Sequence, residues 1–302
     1  PNAGWAKMNR TGCATRTSEA TLDSSKENAV PTRSSERGKQ LGEFLRYLRA
    51  NSTPQDVGLV ASGRRRIPGL RREEVADLVG VSADWYTWLE QGRDVQASET
   101  VVKRLSQIFR LNSDQHAYLF RLARPQPYLV ENVATTVPDS LVDMINSLHD
   151  RPAYIRNSRW DILANNAPYG KIWGFSVAPE RRNVIRMLFL EPGYRSITEN
   201  YDLIVEQVVA RFRDDRSRNP EDEQSTELVR ELQAKSQEFR ELWVRYRITE
   251  ASPYPLEINH PTGGRFKLDR VPLRPELVPG VTVVVYLPVN EESQRAISSM
   301  FG

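Results

Sequence analysis

The chain has 302 residues but one cysteine, Cys13, and three histidines, His116, His149 and His260. A single thiol excludes an intrachain disulfide and fits a reducing cytoplasm. The histidines are too scattered to form a metal-ligand pattern, so no zinc site is expected. No apolar run approaches the ~20 residues that span a bilayer, and no membrane partner is expected. A Gly-rich phosphate loop and a Gly-x-Ser-x-Gly elbow are also missing, so the sequence does not read as an enzyme. The first 35 residues are rich in Ser, Thr, Asn and charge without an apolar core. They are expected to form a disordered arm, not a signal peptide.

Charge is nearly balanced, with 42 Lys and Arg against 39 Asp and Glu. The balance conceals an asymmetry. Residues 1–127 carry 20 basic and 14 acidic side chains, and the remaining 175 carry 22 and 25. A basic front half and a mildly acidic back half suggest two domains, of which the first meets a polyanion.

The segment Gly80-Val81-Ser82-Ala83-Asp84-Trp85-Tyr86-Thr87-Trp88-Leu89-Glu90-Gln91-Gly92 reads as a turn, a capped helix and a glycine stop. An amphipathic helix over Arg72–Val79 precedes it. This spacing predicts a helix-turn-helix whose second helix enters the DNA major groove. Gly80 allows a sharp exit from the first helix, and Ser82 is a good N-cap. Tyr86 and Leu89 share a face with Val75, Ala76 and Val79, which leaves Ala83, Asp84, Thr87 and Trp88 outward, with Ser82 at the helix start. Five of the nine residues 64–72 are arginine (Arg64, Arg65, Arg66, Arg71, Arg72). Arg71, Arg72 and Arg93 are the expected phosphate contacts. An exposed Arg49–Glu90 pair is expected to tie the first helix of the domain to the second helix of the motif, for under ~1 kcal/mol.

Residues 36–124 resemble the XRE-type helix-turn-helix module, above all through Pro68-Gly69-Leu70-Arg71-Arg72-Glu73-Glu74-Val75-Ala76. Further motifs follow: Arg151-Pro152-Ala153, Trp160 to Asn166, Arg182 to Arg186, Phe239 to Trp243, and His260-Pro261. In this order they resemble the ligand-binding domain of MmyB-like transcription regulators. The resemblance spans about residues 36–290 and implies a PAS-like sensor behind the DNA-binding module. Departures from the family pattern occur at Trp88, Asn165, Asn200-Tyr201 and Tyr246-Arg247, and several of these fall where a sensory pocket would be.

The resulting expectation is an all-α helix-turn-helix domain over 36–124, a linker over 125–138, and an α+β PAS-like domain over 139–302. In the last, two strands (Ala153–Arg156, Trp160–Asn165), a helical middle and three strands (Leu256–His260, Arg265–Arg274, Val281–Leu287) predict a five-stranded antiparallel sheet with helices on one face. The clearest helix of the middle is read over Ile197–Arg216. Asp214-Asp215 and Glu221-Asp222-Glu223 read as solvated charge.

A pocket between sheet and helices would be lined by Trp160, Leu163, Asn165, Phe189, Tyr201, Val205, Phe239, Trp243, Phe266 and Tyr286, although aromatic stripes at helical spacing usually fill a core. Arg186 and His260 join Arg182 and Asn183 as polar anchors. No cofactor is assigned, though a PAS-like domain can hold haem or flavin and His260 is the only histidine of the sheet region. The expected ligand is a small apolar molecule with one polar end, fatty-acid-like. The expectation is a cytoplasmic regulator that binds double-stranded DNA as a homodimer. The alternatives are a protein-interaction module (antitoxin-like or sigma-binding) using the same helices, and an enzyme built on the second domain.

Overall fold

In a computed structural model of the chain, the residues described are 35–59, 69–93, 95–124, 133–174, 182–246, 254–276 and 278–301. Nearly all of the expected arm, Arg64 to Arg66 of the basic loop, and residues 125–132 of the expected linker lie outside them.

Among the described residues, five α-helices form the first domain: α1 (Glu36–Asn51), α2 (Arg72–Val79), α3 (Ala83–Glu90), α4 (Glu99–Ile108) and α5 (Ser113–Ala123). Their apolar stripes meet in one core around Phe44, Leu45, Val75, Tyr86, Leu105 and Leu119. Side chains cap four of these helices: Ser35, Ser82, Ser98 and Asn112 each accept a backbone N–H from the first turn. Each such cap contributes about 1 kcal/mol.

The second domain begins with α6 (Asp139–Asn146) and the hairpin β1 (Ala153–Asn157) and β2 (Ile162–Asn165). Among the described residues, six helices follow: α7 (Ala167–Trp173), α8 (Val184–Leu190), α9 (Pro192–Ile197), α10 (Tyr201–Arg216), α11 (Glu223–Lys235) and α12 (Gln237–Val244). Strands β3 (Leu256–His260), β4 (Gly264–Leu273) and β5 (Val281–Pro288) and helix α13 (Glu291–Phe301) complete it. The strands form one antiparallel sheet in the order β2-β1-β5-β4-β3. The central position of β5 lets the last strand close the sheet between the two hairpins, as in a PAS-like fold.

Strand alternation divides the sheet residues between two cores. Tyr154, Val284, Tyr286, Phe266 and Leu268 face the helical middle. Ala153, Ile155, Val281 and Val283 face Ile145 of α6. Helices therefore cover both faces of part of the sheet, against the expected single face. The unbroken apolar run Val283-Val284-Val285 of β5 carries the signature of a strand buried on two sides. The helix expected over Ile197–Arg216 is two helices, with Thr198 extended between them.

Trp160 is not in a strand. It sits in the β1–β2 turn at φ 70°, fully buried. A left-handed backbone at a tryptophan is costly, and contacts around the ring hold it there. Its Nε1 donates to Asp215 Oδ2 at 2.9 Å, and the Arg156 guanidinium lies 4.0 Å from the ring centroid. Asp215 also accepts from Arg156 Nη2 at 2.9 Å and from Arg274 Nη2 at 3.1 Å. The acidic pair read as solvated charge is thus half buried network: Asp215 is buried, and Asp214 pairs with Arg121 and Arg218. Asp222, likewise read as solvated, caps α11 and accepts two bonds from Arg159.

Candidate nucleic-acid interface and sensory cavity

The α2–α3 turn follows the expected mechanics. Gly80 adopts φ 80° and its N–H returns to Ala76 O at 2.8 Å. Ser82 then accepts from Trp85 N at 3.2 Å. Arg104 of α4, which sequence reasoning did not single out, donates to Val79 O at 2.8 Å and ties down the last carbonyls of α2.

The C-terminal end of α3 lies directly on α1. A Cβ at Gly38 would stand 2.3 Å from Gly92 O, and one at Gly42 2.3 Å from Glu90 O. Only glycine permits that approach, and the spacing of four residues puts both on one face of α1. Glu90 is driven inside by it, with a side chain 0% exposed. Arg49 binds it through Nε at 2.5 Å and Nη2 at 3.1 Å, and Arg72 Nε adds a bond of 2.7 Å. The Arg49–Glu90 pair expected at the surface is therefore buried, and its removal costs far more than an exposed pair would.

With the inner side of α3 held by Tyr86, Leu89 and Glu90, the opposite side faces outward. Ser82 and Asp84 are exposed, and Ala83, Thr87 and Trp88 are partly exposed. Thr87 Oγ1 donates to Ala83 O at 2.8 Å, which fixes the rotamer and leaves the methyl and the oxygen lone pairs available. Exposed Gln91 extends this face by one turn beyond Thr87. Its i+4 spacing from Thr87 is the sequence signal that places it there. Exposed Arg71, half-exposed Arg72 and the partly exposed Arg93 flank this surface; the Arg93 guanidinium lies 5.8 Å from the Trp88 ring centroid. Arg72 is the one expected phosphate ligand that is also structural, through Glu90.

Between the sheet and α7 to α10 lies a cavity of about 50 Å³. Tyr154, Trp173, Tyr194 and Tyr286 form aromatic walls, Val184, Leu188, Ile204 and Val208 aliphatic ones, and Thr198, Gln207 and Arg270 polar ones. Burial holds the Tyr194 and Tyr286 hydroxyls well above the ordinary phenol range, so they are neutral donors. Tyr194 and Tyr169 share a bond of 2.7 Å between hydroxyls.

Arg270 is the unusual member. It shares the inward face of β4 with Phe266 and Leu268 and sits opposite Tyr286. Arg211, one turn beyond Gln207 on α10, is pushed down to about 10 by burial and then by the charge of Arg270. Neither arginine has a hydrogen-bonded or ion-paired partner among the described residues. Arg270 is thus a cation of the cavity lining with no hydrogen-bonded or ion-paired partner among the described residues, next to Arg211, whose charge also meets Asp215.

Of the twelve residues expected at the pocket, Tyr286 lines the cavity. Phe189, Phe239 and Trp243 pack in a neighbouring aromatic group, Phe239 stacked on Trp243 at 5.3 Å. Val205 and Phe266 are buried in the surrounding core, and Tyr201 donates its hydroxyl to Leu188 O. Trp160 belongs to the Asp215 network. Leu163 packs on the reverse face of the sheet, and Asn165, at the end of β2, donates through Nδ2 to Asn166 O. The polar anchors are also engaged elsewhere. Arg186 pairs with Glu231 at 2.7 Å, buried Asn183 caps α8, and His260 Nδ1 accepts from the backbone of Thr262 and Gly263. These aromatic and polar residues share one fold region but not one cavity.

The sequence matches two family models: a helix-turn-helix domain over residues 40–119, and the MmyB-like transcription regulator ligand binding domain over residues 137–300. The chain belongs to the MmyB-like transcription regulator family. Among curated proteins, no sequence matches the chain. As a family member it is a DNA-binding transcription regulator with a ligand-binding domain, and the two matched spans coincide with the helical and the α+β domains described above. Among the described residues no helix is long and apolar enough to cross a membrane.

Proposed function

We propose that the chain reads specific double-stranded DNA through the outward face of α3 and adjusts that binding to a small apolar acid held in the aromatic cavity. Ser82, Ala83, Asp84, Thr87, Trp88 and Gln91 meet base edges in the major groove, and Arg71, Arg72 and Arg93 hold phosphates. The observation that carries this reading is the polarity of α3. Its inner side is locked by Tyr86, Leu89 and Glu90, while its outer side is left to solvent beside unburied arginines. Two copies on half-sites about 34–36 Å apart complete the regulator in the cytoplasm.

The ligand's polar end meets Arg270, and its apolar part fills the space between Tyr154, Trp173 and Tyr286. A cavity of about 50 Å³ has room for a few waters. A long acyl chain therefore enters only if the walls part, and that movement is the signal. Helix α10 transmits it. Ile204, Gln207 and Val208 line the cavity, while about two turns beyond Val208 Asp214 pairs with Arg121 of α5 and Arg216 pairs with Glu36 of α1. A shift of α10 moves α1 and α5, and α1 carries α3 on Gly38 and Gly42, so the placement of α3 is biased.

Fluorescence anisotropy of the full chain on its own upstream DNA and on random duplex, across a salt series, tests the first half. A specific complex that tightens as salt falls is expected; salt-independent binding, or capture of a protein partner through α3 with no DNA affinity, would overturn it. For the second half, thermal shift should report octanoate but not octanol, and Arg270→Gln should abolish the difference.

A further inference from the structure

A second cavity, of about 570 Å³, runs between α1 and α5 on one side and α10 to α12 on the other. Its size is within the usual range for small-molecule sites. Three of its lining residues carry buried donor atoms with no acceptor among the described residues: Gln40 Nε2, Arg213 Nη1 and Arg216 Nε. The residues are 5%, 2% and 5% exposed. Buried donors are almost always matched, so three unmatched donors on residues that line one cleft are a signal for a missing acceptor.

The charges agree. Arg213 and Arg216 rise from α10, and exposed Arg46 of α1 and Arg230 of α11, the latter in an exposed pair with Glu227 at 3.4 Å, add two more guanidinium groups. The acids of the cleft are already engaged. Glu36 Oε1 accepts from Arg216 Nη2 at 3.0 Å, and Glu43 Oε2 accepts from the Tyr246 hydroxyl at 2.6 Å. Arg213 is also clamped between the rings of Trp243 and Tyr246, 4.4 and 4.2 Å from their centroids, so its position is fixed before any ligand arrives. Tyr47 and the strongly exposed Val244 supply apolar surface beside these cations.

We propose that this cleft is a second ligand site, separate from the aromatic cavity, for a small molecule that joins an oxyanion to a flat ring. Guanidinium forks suit the oxygens of phosphate or carboxylate, and the ring lies on Tyr47 and Val244. Occupancy bridges α1 to α10 and α11, and so alters how firmly the helical domain is held. The inference stands on the cleft alone and does not depend on what α3 binds.

Calorimetric titration of the full chain with phenyl phosphate, benzoate, inorganic phosphate and phenol tests it. Phenyl phosphate or benzoate should saturate with a millimolar Kd, about tenfold tighter than either phenol or inorganic phosphate. Whichever of the two binds better names the oxyanion. Arg46→Gln with Arg230→Gln should weaken that binding about tenfold at unchanged Tm, because both side chains are exposed, while Arg270→Gln should leave it unaltered. The proposal is overturned if neither ring-bearing anion saturates below about 10 mM, or if phenol binds as well as they do. It is also overturned if Arg270→Gln removes the binding and the Arg46/Arg230 pair does not.

Discussion

Replacing Glu90 by Gln removes the charge at the meeting point of α1, α2 and α3 without changing the volume there. The carboxylate is wholly buried, and Arg49 is largely so. Deleting one partner of such a pair strands the other charge and costs about 3–5 kcal/mol. Gln keeps one acceptor oxygen, which places the expected loss near the lower limit. Arg72, with a side chain 44% exposed, adds less than ~1 kcal/mol because water screens it. A loss of about 3 kcal/mol is a large part of a single domain's stability. Native-state hydrogen exchange is the suitable assay, since a denaturant melt of a two-domain chain mixes both transitions. Amide protection in α1, α2 and α3 should fall by about two decades while the sheet amides keep theirs. The double replacement Arg49→Met with Glu90→Leu should cost less than either single change, because an apolar pair leaves no stranded charge. A loss below ~1 kcal/mol, or additive losses in the double variant, would refute the buried-pair argument.

Further outcomes are expected elsewhere. Arg93→Ala should weaken binding to all DNA sequences and reduce the salt slope by about one unit, whereas an unchanged slope removes Arg93 from the phosphate contacts. Arg72→Ala should do the same and also lower protection in α2, since it loosens Glu90; a change in only one of the two would contradict its double role. Arg270→Leu should raise the Tm of the ligand-free chain, because it removes an unpaired cation from the inward face of β4, and a lowered Tm would show that Arg270 has a partner. Burial disfavours the Asp215 carboxylate, but Arg156, the Trp160 N–H and Arg274 outweigh it and hold its pKa below the ordinary value of 3.8. Its stabilising effect is then full above about pH 4 and is lost as pH falls through the depressed folded value. Acid unfolding of Asp215→Asn should lose that part of the pH dependence, and an identical acid profile in variant and parent would refute the network.

Much of the helical domain was legible because its signals are local. The start of α2 at Arg72, the Gly80 exit and the Ser82 cap each depend on residues within one turn of each other. The strand order β2-β1-β5-β4-β3 was not readable from periodicity, but two strands, helices and three strands narrowed it to a PAS-like pattern. What escaped was long-range. Gly38 and Gly42 look like poor helix residues until α3 is laid on them, and that contact buries Glu90. Asp215 looks solvated until Arg156 and Trp160 reach it from the β1–β2 hairpin. Helix α13 went unread because its polar composition hides the few inward residues, Ile297 and its neighbours. The expected lining and the cavity part for a related reason. Large aromatics such as Phe239 and Trp243 pack against each other, and the space is left where Tyr286 meets the unpaired Arg270. The alternation Phe266, Leu268, Arg270 along β4 was the signal that could have located it.

The central claim is that the outward face of α3 chooses a DNA sequence. Selection of binding duplexes from a random-sequence pool by the full chain measures this, run in parallel with Thr87→Ala and Trp88→Ala. The account expects the parent to enrich a motif repeated about one helical turn apart, and each variant to enrich an altered motif at similar overall yield. A pool that stays random, or the same motif from parent and variants, would contradict it.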